Sequence, residues 1–330
     1  MSDAAAAGTE GEDDDAVAMS SPRFVVVDGV RTRYFDVGSP ALPTLVLIHG
    51  GDFDYREVAS ATEWLPNVGP LSRQFRVIAF DKLGCGLTDS PAAARDYTIA
   101  AVVAHARRLL DVLGLTDVVL WGHSRGALAA LRVALEAPEL VRQLVLSDSN
   151  SVAPEDPSIP RGFYTRVYPS ADAVATPQTL RELFDAVSFD PRNRHVEAVY
   201  RRKLAELEEP HPARPMTSES IAAMRAAKRE HFDSHLLDYK HQTLEMVRTG
   251  GLRARTLVLW GFNDPTVSAR VGFDLYQRLA LYASDVEFHL VNRVGHYPQT
   301  EDPATVHRVV SSFLAAGFAG SGHGPEGSNQ

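Results

Sequence analysis

Val118-Val119-Leu120-Trp121-Gly122-His123-Ser124-Arg125-Gly126-Ala127-Leu128-Ala129-Ala130-Leu131 passes from an unbroken apolar run, through a Gly-x-Ser-x-Gly turn, into an Ala/Leu-rich helical stretch. A strand that turns this sharply into a helix presents the central serine at the tip of the turn. The turn strains the serine backbone and crowds strand against helix, so its flanks need residues without a Cβ. Gly122 and Gly126 fill that need, and Ser124 becomes the candidate nucleophile.

Outward from this turn, short β-branched runs alternate with helical patterns, which predicts a largely parallel sheet with crossover helices. The candidate strands are 23–27, 31–37, 44–48, 75–80, 118–121, 144–147, 256–260 and 286–290. The first two read as an antiparallel entry joined through Asp28-Gly29, and several others are apolar throughout, as expected of strands covered on both faces. Helices are expected over 99–113, 126–136, 269–281 and 304–315. Between Ser149 and Gly251 the strand signal gives way to charged helical sequence, which predicts a helical cap inserted into the core. The expected organisation is a core of residues 21–149 and 252–316, a cap of residues 150–251, and disordered tails at 1–20 and 317–330.

Composition narrows the function classes. The 330 residues carry 33 Lys and Arg against 42 Asp and Glu, a net charge of −9, which argues against a general nucleic-acid binder. No run approaches the length a membrane span needs. The acidic start, with Asp3, Glu10, Glu12, Asp13, Asp14 and Asp15, is unlike a secretory signal, so a cytoplasmic protein is expected. A lone cysteine, Cys85, leaves no disulfide framework and no cysteine-rich zinc site. The expected partner is a small-molecule substrate, without metal, cofactor, nucleic acid or membrane, and a homodimer is left open.

A serine hydroxyl is a poor nucleophile at neutral pH, so Ser124 needs a base within reach and an acid to orient that base. His296, in the loop Val294-Gly295-His296-Tyr297-Pro298 after the last strand, is the candidate base. Asp264 follows the apolar strand Thr256-Leu257-Val258-Leu259-Trp260 and its glycine, and is the candidate acid, with Asp148 its rival at the end of the preceding strand. An oxyanion needs two donors: the amide of Arg125, next to the nucleophile, and that of Gly51 in Leu47-Ile48-His49-Gly50-Gly51.

The order of Gly-x-Ser-x-Gly, strand-end Asp and loop His, with His-Gly-Gly upstream and Asp81-Lys82-Leu83-Gly84-Cys85-Gly86 between, resembles the α/β-hydrolase superfamily over residues 23–316. That resemblance implies the α/β-hydrolase fold, a mostly parallel eight-stranded sheet flanked by helices with an inserted helical cap. Within the superfamily, four stretches are similar to the meta-cleavage product hydrolases: Gly122-His-Ser-Arg-Gly-Ala127, Ser147 to Asn150 with Ala153-Pro154, Trp260-Gly-x-Asn-Asp264, and the pattern from Leu180 through Pro191. The resemblance implies a serine-dependent hydrolase that cuts a carbon–carbon bond in a 2-hydroxy-6-oxo-dienoate-type ring-fission product. It also implies a cap arginine at the substrate's keto or carboxylate end, placed at Arg202, with Arg201 the alternative.

Three positions depart from the family pattern and join Arg202 as expected substrate-binding residues. Asp52, with Asp54, puts acid beside the oxyanion donors and calls for an offset from Arg56, Arg125 or Arg202. His123 stands where asparagine is common, and Tyr297 where tryptophan is common. The acids suit an uncharged substrate, so a carboxylesterase or lactonase is the runner-up, and a ligand-binding protein with little turnover the third reading.

Overall fold

The computed structural model describes residues 19–53, 59–154, 175–209 and 217–319. Its eight strands, β1 (Arg23–Val27), β2 (Val30–Val37), β3 (Thr44–Ile48), β4 (Arg76–Phe80), β5 (Val118–His123), β6 (Val141–Ser147), β7 (Arg255–Gly261) and β8 (Val286–Val291), form one sheet in the order β1-β2-β4-β3-β5-β6-β7-β8. β2 runs antiparallel to β1 and β4, and every other pairing is parallel. Asp28 and Gly29 both take positive φ in the entry hairpin, the conformation a tight two-residue turn demands.

Strand side chains alternate between two cores. Val46, Ile48, Ile78, Phe80, Leu120, Leu144 and Leu146 pack against α2 (Ile99–Val112), α3 (Arg125–Glu136) and α8 (Ala269–Ala280). Leu45, Leu47, Val77, Ala79, Val119, Trp121 and Val145 face α1 (Leu65–Leu71) and α10 (Pro303–Ala319), which follows the one-turn α9 (Pro298–Glu301), and Trp64 and Phe313 also lie there. Both faces of the sheet are therefore apolar, which is why the central strands lack a polar alternation.

From the end of β6 the chain leaves the sheet and returns to it at β7. The helical cap between them contains α4 (Pro177–Val187), α5 (Arg194–Glu208), α6 (Ser218–Ala227), a π-helical turn (Lys228–Asp233) and α7 (Ser234–Gly250). Threonines start two of these helices: the Thr176 and Thr217 side chains accept from Thr179 N and Ser220 N, satisfying donors that a helix start leaves open.

Several elements differ from expectation: β5 runs on to His123, and β6 starts at Val141 rather than at residue 144. The sequence gives no helical signal over 65–71, yet α1 forms with Pro66 in its first turn, where proline's missing N–H costs nothing. α10 continues to Ala319, three residues past the expected end of the core, and Met19 at the other end is buried. The remainder of the two expected tails, with Asp54 and Arg56, lies outside the described residues.

Candidate active site

The parallel strands all end at one edge of the sheet, and five of them deliver the candidate residues there: β3 leads to Gly50 and Gly51, β5 to Ser124, β6 to Asp148, β7 to Asp264 and β8 to His296. Ligand crevices of open parallel sheets form at this edge.

Ser124 has φ 50° and ψ −121°, a strained conformation for a side-chain-bearing residue, and its amide is anchored on the Ser147 carbonyl at 2.9 Å. The strain persists because the turn has no room to relax. A Cβ on Gly122 would lie 2.4 Å from the Gly126 oxygen, and one on Gly126 would lie 2.2 Å from the Ile48 oxygen.

His296 Nε2 stands 3.2 Å from Ser124 Oγ, and His296 Nδ1 stands 2.8 Å from Asp264 Oδ2. The other Asp264 oxygen accepts from Thr266 N at 2.7 Å, Thr266 Oγ1 at 2.8 Å and Val267 N at 3.1 Å, so the carboxylate cannot rotate away from the ring. Thr266, two residues after the acid, was not singled out by sequence; its signal is the habit of Asp of bonding the backbone two residues on. Asp148, the rival acid, is fully buried and accepts from Gly261 N at 2.8 Å. Burial, with Asp264 beside it, pushes the Asp148 carboxyl well above the usual range, and it is Asp264 that meets His296.

On the oxyanion side, Arg125 is the first residue of α3, where an N–H has no acceptor within the helix. Gly51, at φ 66°, lines the same cavity. The loop is held from behind: His49 Nδ1 bonds the Gly50 carbonyl at 2.7 Å, Lys82 N donates to His49 Nε2 at 3.0 Å, and Lys82 Nζ donates to the Gly51 carbonyl at 2.6 Å. Desolvation by burial keeps the His49 imidazole neutral, as acceptance at its Nε2 requires.

A cavity of about 280 Å³ opens over Ser124 beneath the cap. Its apolar wall includes Leu183, Phe184, Val196 and Val199 from the cap and Val267 from the core. Its charged side chains are Asp52, Glu63, Arg125, Lys203 and Lys228. Asp52 is paired with Arg125 Nε at 3.0 Å, with Lys228 Nζ at 3.9 Å, so the acid beside the oxyanion donors is offset as expected from Arg125.

The structure does not bring every expected contact residue to this cavity. Tyr297 and Asp52 line it. Arg202 lies instead in an outer recess with Met19, Leu65, Arg194 and Arg201, because one helical step rotates its side chain about 100° from that of Lys203. Lys203 is the α5 cation on the cavity wall, held by Ser60 O at 3.1 Å. His123 is also placed differently: its ring is fully buried behind the serine, bonded to Glu63 Oε1 and to the His296 carbonyl, each at 2.7 Å. Glu63 and Lys228 carry no local motif: Glu63 meets His123 sixty residues on, and Lys228, paired with Asp233 at 2.8 Å, meets Asp52 only through the fold. Among the described residues no cluster of His, Cys, Asp or Glu is arranged to hold a metal, and no helix is long and apolar enough to cross a membrane.

Comparison with known proteins agrees with this architecture. The chain is 31% identical over 297 residues to a 2-hydroxymuconate semialdehyde hydrolase of Pseudomonas sp. strain CF600, covering 89% of this chain and 93% of that protein. It is 28% identical over 305 residues to a 2-hydroxy-6-oxo-2,4-heptadienoate hydrolase of Pseudomonas putida F1, covering 89% and 96%. A solved meta-cleavage product hydrolase from Pseudomonas fluorescens IP01 superposes with a TM-score of 0.68 at 24% identity, over 89% of this chain and 97% of that one, a likeness of fold. The family model of the alpha/beta hydrolase fold matches residues 43–303. With the strand order, the strained serine turn and the cap all in place, the chain belongs to the α/β-hydrolase fold family.

Proposed function

We propose that this protein is a serine hydrolase that cleaves a carbon–carbon bond in a 2-hydroxy-6-oxo-dienoate-type ring-fission product. The observation that carries the reading is the Ser124–His296–Asp264 chain of contacts, at 3.2 and 2.8 Å, opening on a capped cavity whose wall bears Arg125, Lys203 and Lys228 against Asp52 and Glu63. The relatives named for ring-fission hydrolysis support the substrate class, since the similarity runs through cap and core alike.

In this mechanism the substrate binds with its carboxylate toward the cationic wall and its ketone over Ser124. Ketonisation precedes cleavage and makes the departing carbon a stable leaving group. His296 Nε2 takes the proton of Ser124, or of a water in its place, as oxygen attacks the ketone. The Gly51 and Arg125 amides receive the oxyanion, and Asp264 stabilises the imidazolium. Collapse breaks the carbon–carbon bond; its electron pair passes into the conjugated fragment, and the His296 proton completes that product. If Ser124 is the attacking group, water then releases the acyl fragment by the same base.

The test is a spectrophotometric panel of coloured ring-fission products beside simple esters, with fluorophosphonate labelling of Ser124. Bleaching of the coloured compounds and labelling of Ser124 are expected. A labelled protein that hydrolyses esters and leaves every coloured compound unchanged would reject carbon–carbon cleavage; a folded protein that does not label would reject the activated serine.

A further inference from the structure

Glu63 joins three loops that lie far apart in the sequence. Its Oε2 accepts from Gly50 N of the oxyanion loop at 3.0 Å, and its Oε1 accepts from Gln299 Nε2 at 3.3 Å. That same Oε1 lies 2.7 Å from His123 Nδ1, and the opposite ring nitrogen of His123 lies 2.7 Å from the His296 carbonyl. Thr300 Oγ1 adds a longer contact to the Glu63 backbone oxygen, at 3.4 Å. Both side chains are buried, that of His123 completely and that of Glu63 with 6% exposed.

The proton inventory of this chain is constrained. A backbone carbonyl only accepts, so His123 Nε2 must carry a hydrogen. Glu63 receives an amide N–H and a carboxamide N–H, both donors, which is the environment of an ionised carboxylate. An ionised Glu63 accepts from His123 Nδ1, which then needs a hydrogen too. The remaining faces of the His123 ring meet the Tyr297 ring at 4.7 Å between centroids and the His296 ring at 4.9 Å. A tyrosine ring at that separation suits a cation.

From this geometry we infer that His123 is a buried imidazolium paired with Glu63, and that the pair is a positioning device fixing the oxyanion loop, the serine turn and the histidine loop relative to one another. The positioning role rests on the serine-hydrolase reading; the charge state of His123 does not.

Nitrogen-15 NMR of histidine-labelled protein decides the charge state without any substrate. His123 is assigned by the signals that vanish in His123→Asn. At about pH 8, where an isolated imidazole is neutral, both His123 nitrogens are expected at protonated shifts. An unprotonated Nδ1 at that pH would overturn the inference while leaving fluorophosphonate labelling of Ser124 untouched. Glu63→Gln is expected to convert His123 to its neutral Nε2–H form and to lower kcat about tenfold with KM within about twofold. An unchanged kcat with unchanged His123 signals would overturn it equally, and should Glu63→Gln fail to fold, the wild-type spectrum alone decides between the charged and the neutral ring.

Discussion

At the scale of single residues, the serine turn leaves no tolerance for one added carbon. A Gly126→Ala methyl would meet the Ile48 and His49 carbonyl oxygens at 2.2 and 2.6 Å, both backbone atoms of the strand that carries the oxyanion loop. Neither can move without displacing β3, so the substitution should cost about 3 kcal/mol or more, beyond ordinary overpacking, seen as a fall in Tm or loss of folded protein. A wild-type Tm would mean that the turn relaxes. Ser124→Ala or His296→Ala should each lower turnover by about 10⁴ to 10⁶, and the double variant should cost little more, because the groups act as a unit. Losses that multiply would show that the two act independently. These residues were legible because each follows a strand and has a glycine within two positions. Lys203 was not: family likeness pointed to a cap arginine, and only the phase of α5 separates Arg202, facing the outer recess, from Lys203, facing the cavity. Glu63 was invisible because its partner is sixty residues away.

At the scale of elements, two of the places that fasten the cap to the core differ in chemistry. One is a buried ion network: Arg33 on β2 bonds Asp81 at 2.6 Å and Glu206 of α5 at 2.8 Å, while Ser60 and Thr62 also donate to Glu206. Burial opposes the Arg33 charge, and the two carboxylates more than offset it. The other joins the end of α4 to the histidine loop: His296 N donates to Val187 O at 2.9 Å, and Glu301 accepts from Phe189 N at 2.7 Å and Gly295 N at 2.8 Å. Desolvation by burial lifts the Glu301 carboxyl from 4.5 to about 7, despite those backbone donors. Between these values the folded protein holds a proton that the unfolded chain has released. The stability this gives is full below the ordinary glutamate value and is lost as pH rises through about 7. Glu301→Gln carries no such dependence, so its Tm relative to wild type should rise by about 2–5 °C between about pH 5 and about pH 8. A difference that stays constant with pH would show that Glu301 does not titrate in this window. The strands were readable because both their faces are apolar. α1 was not readable, because proline and glycine mask its period, and a hydrophobic pattern cannot report contacts such as Arg33 to Glu206.

At the scale of the whole molecule, the net charge of −9 and the cationic wall of the cavity act on an anionic substrate with opposite signs. Which one dominates depends on distance. The Debye length is about 30 Å at 0.01 M salt and about 10 Å at 0.1 M, so dilute buffer lets the distant surface charge repel an approaching carboxylate, while moderate salt removes much of that repulsion. Contacts of Arg125, Lys203 and Lys228 with a bound carboxylate are made at short range under the cap, where screening is weak. Raising salt from about 0.01 M to about 0.1 M should therefore increase kcat/KM for a carboxylate-bearing ring-fission product by about two- to threefold and leave a neutral ester unchanged. A fall with salt for the anionic substrate alone would mean that the cavity's own field reaches beyond the cap and governs capture. Parallel curves for the two substrates would mean that the substrate's carboxylate is not sensed at all, and would return the choice of substrate to the uncharged esters that Asp52 suggested in the sequence.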